Sequence, residues 1–195
     1  MISLRLPALI FALASLIFLV AAQQGFTQGL DFKDKDLVHR KYNDQRLDGA
    51  DFSGATLRDT SFYRASLKGV NFQDADLRNT EFTGADLTGA DFRNSIGPFI
   101  STGETNFSRT NFEGLDMHGI TLYQANFRGA NLKNTRGWGR VTNCSFRGAD
   151  LRGANLMSAK AYSAEGMFVG AVYDENTRWP AWVDVEQSGA RRAAP

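Results

Sequence analysis

The sequence predicts an all-β solenoid, and three observations predict it. A large apolar residue recurs at every fifth position, a small residue stands two places before it, and a turn-forming residue two places after. The apolar series runs Leu47, Phe52, Leu57, Phe62, Leu67, Phe72, Leu77, Phe82, Leu87, Phe92 without a gap. It resumes in phase as Phe107, Phe112, Met117, Leu122, Phe127 and Leu132, then one residue early as Phe146, Leu151 and Leu156. Five steps of an α-helix turn by roughly 140°, which winds the apolar side chains around the rod. In a flat strand an odd spacing sends successive members to opposite faces. One buried column results only if the chain bends after each five-residue segment and coils on itself.

Each place in the repeat has its own chemistry. The large residue is the centre. Two before it come Ala50, Ala55, Ala65, Ala75, Ala85 and their later equivalents, which share its inward face and must be small to fit the interior. Between the two lies an outward polar residue such as Asp51, Asn71, Asp76, Asp86 or Asn131. Two after the centre come Gly49, Gly54, Gly69, Gly84 and Gly89, or Asp59, Asp74, Asn79, Asn94 and Asn134, residue types that accept the positive φ of a corner. Burial pattern and turn chemistry recur in step. Centres alternate Leu and Phe from Leu47 to Phe92. An even number of sides stacks Phe on Phe, which favours four, although a three-sided coil with mixed stacks also packs.

The motif Ala-Asp/Asn-Leu/Phe-X-X, as in Ala50-Asp51-Phe52-Ser53-Gly54 or Ala85-Asp86-Leu87-Thr88-Gly89, resembles the pentapeptide-repeat family. That resemblance implies a right-handed, four-sided β-helix with four repeats per coil over residues 47–173. About six coils would make a rod roughly 30 Å long at the usual strand spacing.

The remaining segments follow in chain order. Residues 1–22 hold one early charge, Arg5, an apolar run over residues 6–20, and the small pair Ala21-Ala22 before Gln23. This reads as a secretory signal peptide; an uncleaved membrane anchor is the other reading, because the run barely reaches spanning length. Residues 23–46 keep the spacing in Phe32, Leu37 and Tyr42, but Lys35, Arg40 and Gln45 occupy the small inward place. Buried charge is costly, so this stretch reads as an imperfect first coil or a leader. The series fails near residues 95–105, where Pro98 cannot donate to a ladder, and near residues 135–143; both read as outward loops. Residues 174–195 read as a C-terminal cap with Trp179 and Trp182 over the last coil, then a loose tail from Ser188.

Function is narrowed mostly by exclusion. Acidic and basic residues are interspersed at a net charge of +1, with no basic stripe and interleaved aromatics of the kind that grips nucleic acid. His39 and His118 stand apart at surface places, and Cys144 replaces Ala at an inward one, as a buried thiol. There is no Ser–His–Asp or Cys–His signature, no paired metal-ligand motif and no phosphate loop, so no enzymatic activity, cofactor or metal is expected. The resemblance brings a second reading, since some members of the family imitate duplex DNA and shield topoisomerases. A balanced charge and an export signal disfavour it, because DNA mimicry requires a strongly negative rod.

The reading that remains is an exported structural or interaction module binding an unidentified protein partner; the resemblance implies a thylakoid lumen, and a periplasm fits the sequence equally well. A membrane is involved only if residues 1–22 stay attached. The two interruptions offer the candidate partner site: Phe99 and Ile100 in one, Arg136, Trp138 and Arg140 in the other. Aromatic and arginine side chains of this kind concentrate binding energy at interfaces. Phe99 and Trp138 are nearly two coils apart, which places them on one side of the rod. The alternative is that these side chains fold back and cover the rod.

Overall fold

The computed structural model describes residues 30–101, 103–161 and 165–194. The signal or anchor segment expected at residues 1–22 lies outside the described residues. Parallel bridges join Asp31 to Asp51, Asp36 to Thr56, Lys41 to Ser61 and Arg46 to Ser66, so a coil takes twenty residues and meets the next on four faces. We number these faces 1 to 4 in that order. Among the described residues face 1 has nine rungs: Asp31, Asp51, Asn71, Asp91, Asn111, Asn131, Asp150, Val172 and Arg191. Eight steps between them span about 38 Å. No helix occurs among the described residues.

The corners explain the repeat chemistry. The centre's carbonyl accepts from the residue three places on, as Ala55 N donates to Phe52 O at 3.1 Å. The residue two places after the centre has positive φ: 65° at Gly54, 58° at Asp74 and 59° at Asn79. Positive φ at the third position is the requirement of a type II turn. The polar residue before each centre does more than face water. Asp51 Oδ1 accepts from Ser53 N at 2.9 Å and Asn71 Oδ1 from Gln73 N at 3.1 Å, a hydrogen bond that recurs around the coil and sets up each bend. On face 4 these side chains also join coil to coil, Asn106 Nδ2 donating to Asp86 Oδ1 at 3.0 Å and Asn126 Nδ2 to Asn106 Oδ1 at 3.2 Å.

The interior holds stacked columns of like residues, as an even number of sides requires. On face 1, Phe32, Phe52, Phe72, Phe92 and Phe112 follow one another at centroid distances of 4.4, 5.4, 5.0 and 4.8 Å. On face 3, Tyr42, Phe62 and Phe82 repeat at 5.2 and 5.5 Å. From Phe107 the aromatic column moves to face 4, through Phe127, Phe146 and Phe168. The small inward place admits Thr as well as Ala. Thr60, Thr80, Thr105 and Thr110 are buried there, each hydroxyl donating to a carbonyl of the preceding coil, as Thr80 Oγ1 does to Leu57 O at 2.7 Å.

Two expectations require correction. Phe99 and Trp138, expected in outward loops, are each 1% exposed and belong to the core. In both interruptions a glycine stands at the centre's place, Gly97 with φ 92° and Gly137 with φ 75°, and the following aromatic turns in to fill the vacant volume. Phe99 packs 5.6 Å from Phe82 and 5.9 Å from Phe107; Trp138 packs 6.1 Å from Phe127 and 5.5 Å from Phe146. The charged residues at the inward places of the first coil lie outside the core. Lys35 and Arg40 are exposed, while backbone hydrogen bonds tie residues 31–46 to the next coil in the regular pattern. Secondly, the tail is tied down rather than loose. The strand Arg191–Arg192 pairs in parallel with Val172–Tyr173, and Ala193 N donates to Tyr173 O at 2.7 Å. Trp179 sits edge-on to Phe168 at 5.1 Å, and Trp182 Nε1 donates to Ala159 O at 2.8 Å, so both tryptophans pack against the last coils.

Candidate interaction surface

The second half of face 3 departs from single bridges. There β1 (Ile100–Ser101), β2 (Thr121–Tyr123) and β3 (Val141–Thr142) form a parallel three-stranded sheet, with Ile100 opposite Thr121 and Leu122 opposite Val141. Both interrupted segments therefore reach the same face. The aromatic members of the candidate set are buried, so the outward surface consists of other side chains. Ile100 is fixed by its main-chain pairing with Thr121. Arg140 is exposed and its backbone bridges Lys160. Arg136 is also exposed, with its Nε 3.4 Å from Asp116 Oδ2. Tyr123, absent from the candidates read in the sequence, stands 41% exposed on the middle strand. Its place one after the centre Leu122 marks it as outward in the repeat, which is the one signal the sequence carries for it.

Elsewhere the polar groups are engaged with one another. Asp76 accepts from Arg78 through both carboxylate oxygens, at 2.8 and 2.6 Å, and hydrogen bonding from that guanidinium holds its carboxyl below the usual range. Burial pushes the Asp150 carboxyl up, but hydrogen bonds and charge from Arg152, with Lys133 3.4 Å away, bring it below the usual value. A shallow depression of about 510 Å³ near the C-terminal end is lined by Arg152, Asp174, Glu175 and Arg192. Asp174, its best-placed acid, already accepts from Gly153 N at 2.9 Å, Asn176 N at 3.1 Å and the Thr177 hydroxyl at 3.0 Å. Its carboxylate is a structural cap of the turn.

The reactive residue types are dispersed. Cys144 is buried, its thiol 3.6 Å from Thr142 O, and burial pushes its pKa up to about 11. His39 and His118 are exposed on different coils. Among the described residues no group of three or more His, Cys, Asp or Glu side chains could hold a metal ion. The arrangement offers a rigid patterned surface for binding.

Comparison with known proteins agrees with the coil. Residues 46–84, 60–96, 104–136 and 140–165 match the family profile described as pentapeptide repeats, in eight copies. Among solved structures, a trypsin-treated variant of QnrB1, a plasmid-mediated fluoroquinolone resistance protein, aligns with TM-score 0.61 at 20% identity over 84% of this chain and 77% of that one. A pentapeptide repeat protein of the Arabidopsis thaliana thylakoid lumen is 31% identical over 53% of this chain and 69% of that one, with TM-score 0.34. No curated protein sequence matches.

Proposed function

Since the chain belongs to the pentapeptide repeat family, we propose that it is an exported, non-enzymatic module that presents a rigid β-helical rod to a protein partner. The observation that carries this reading is how the polar side chains are used. The Asp and Asn residues that could have served as acids, bases or ligands accept backbone N–H groups at the corners or pair across coils. What remains outward is shape and pattern, the requirements of recognition. The contact surface is the second half of face 3, with Tyr123 as its aromatic anchor and Arg140 beside it, in place of the buried Phe99 and Trp138. An exposed tyrosine on a stiff strand loses little entropy on binding, which suits an anchor. Export rests on residues 1–22, whose composition is that of a secretory signal.

The test is site-specific photocrosslinking in the native compartment. A crosslinking residue at position 123 should give one discrete adduct, and the same residue at Glu113 on face 1 should give none. Equal adducts from both positions, or none from position 123, would remove face 3 as the contact. Mass spectrometry of the recovered protein should find an amino terminus near Gln23. Full-length chain beginning at Met1 in a soluble intracellular fraction would remove export.

A further inference from the structure

The coils over residues 105–160 carry eight basic residues and three acidic ones. The three acids are taken. Asp116 pairs with Arg136, Asp150 with Lys133 and Arg152, and Glu113 accepts from Asn131 at 3.1 Å. Exposed arginines of these coils with no carboxylate at ion-pair distance among the described residues are Arg109, Arg128, Arg140 and Arg147. Arg140 belongs to face 3, and the backbone places the other three together. Arg109 N donates to Arg128 O at 3.0 Å, and Gly129 N donates to Arg147 O at 3.0 Å. They occupy three consecutive rungs at the corner between face 4 and face 1.

That corner is otherwise glycine. Its residues are Gly49, Gly69, Gly89, Arg109, Gly129, Gly148 and Gly170, all with positive φ. Arg109, at φ 59°, is the one member of the column that carries a side chain in a backbone region that disfavours one. A conformational cost retained at a single place in a repeating column points to a use for that side chain. Its direction agrees: a Cβ built on Gly129 would lie 3.8 Å from Arg109 Cγ, so the arginine runs along the rod axis toward the rungs of Arg128 and Arg147.

We propose that Arg109, Arg128 and Arg147 form a binding site for a phosphate-bearing polyanion, separate from the partner surface on face 3 and independent of it. Rungs lie about 4.8 Å apart, whereas carboxylates on one side of an extended peptide recur at about 6.8 Å, so an acidic strand does not fit the row. A phosphoryl group offers three acceptor oxygens that several guanidinium forks reach at once.

The experiment is calorimetric titration of the folded protein with tripolyphosphate at low ionic strength. Arg109→Gly restores the corner's ordinary residue, so its melting temperature should stay level or rise while affinity falls by about tenfold. Arg128→Gln and Arg147→Gln should each weaken binding similarly. Arg58→Gln/Arg78→Gln, which removes two paired arginines from face 2, should leave affinity within about twofold. The proposal is overturned if the wild-type protein shows no binding, if the face 2 control loses as much affinity as Arg109→Gly, or if Arg109→Gly leaves affinity intact. Tighter binding of a short polyglutamate than of tripolyphosphate would overturn the phosphate assignment.

Discussion

Trp138 Nε1 donates to Thr135 Oγ1 at 3.2 Å inside the coil, and that hydroxyl donates in turn to Leu132 O at 2.7 Å. The indole's single polar group is thus satisfied without water, by a threonine at the small inward place of the same segment. Trp138→Ala should cost about 3–5 kcal/mol in urea denaturation, the range for emptying a large aromatic site. Trp138→Phe retains most of the volume but loses the donor, and should cost clearly less. A Trp138→Ala protein with unchanged stability would mean that the ring does not fill the core.

Gly137, at the centre's place beside Trp138, should tolerate a side chain less well than the open corner glycine Gly49. A Cβ on Gly137 would lie 2.5 Å from Asp116 Oδ1 and 3.0 Å from His118 N, whereas one on Gly49 would meet nothing within 4 Å. Both have positive φ, so each Ala substitution carries strain of about 1–2 kcal/mol. Gly137→Ala should add an overpacking cost of about 1–3 kcal/mol to that. Matched denaturation curves for the two variants check it.

Much of the coil is legible in the sequence because burial and turn chemistry repeat together. Phe52, Ala55 and Gly54 each predict their own place, and the Leu–Phe alternation leads to the stacked columns. What the pattern does not carry is non-periodic. Phe99 and Trp138 sit where the count fails, and a sequence pattern cannot show that Gly97 and Gly137 open a volume for the next aromatic. The arginine row is invisible for a related reason. Arg109 lies two places after its centre and Arg128 and Arg147 one place after theirs, so only the stacked corner brings them together. Tyr123 follows the ordinary outward rule, and by pattern alone it is indistinguishable from every other surface place.

The inward and outward sides of a single segment should respond differently to charge. Phe72→Asp places a carboxylate in the middle of the face 1 column and should abolish soluble folded protein. The next residue, Gln73, is outward but not idle: its Nε2 donates to Asp91 Oδ2 at 2.9 Å. Gln73→Ala should therefore cost no more than about 1 kcal/mol. Gln73→Asp should cost more, since it sets a second carboxylate beside Asp91. Circular dichroism and thermal melts of the three variants separate these outcomes.

Stability should decline at both ends of the pH scale. Burial pushes the Cys144 thiol up to about 11 from 9.0 and the Tyr42 hydroxyl up to about 12 from 10.0. Folding favours the protonated form of each, so this stabilisation is complete below pH 9.0 and is lost as pH rises toward 12. Asp76, Asp91 and Asp150 are held below the ordinary carboxylate value, so their contribution is present above about pH 3.9 and is lost as pH falls through their lower folded values. Melting temperature should be flat between those limits. Cys144→Ala should remove the part of the alkaline decline that begins near pH 9.0, and Tyr42→Phe the part that begins near pH 10.0.

The coils are not all the same length. From Asp31 to Ile96 every bridge spans twenty residues, but Asn126 meets Ser145 after nineteen, Asp150 meets Val172 after twenty-two and Asn155 meets Arg178 after twenty-three. A chain of interchangeable coils invites slippage. If Asp31 met Asn71 directly, the intervening coil would be expelled, and the remaining contacts would bury nearly the same side chains in nearly the same way. The coils of unequal length do not permit this exchange, because each fits only the neighbours that share its offset. They act as index marks beside a uniform thread, so the carboxyl-terminal coils have one register where the first coils offer several equivalent ones.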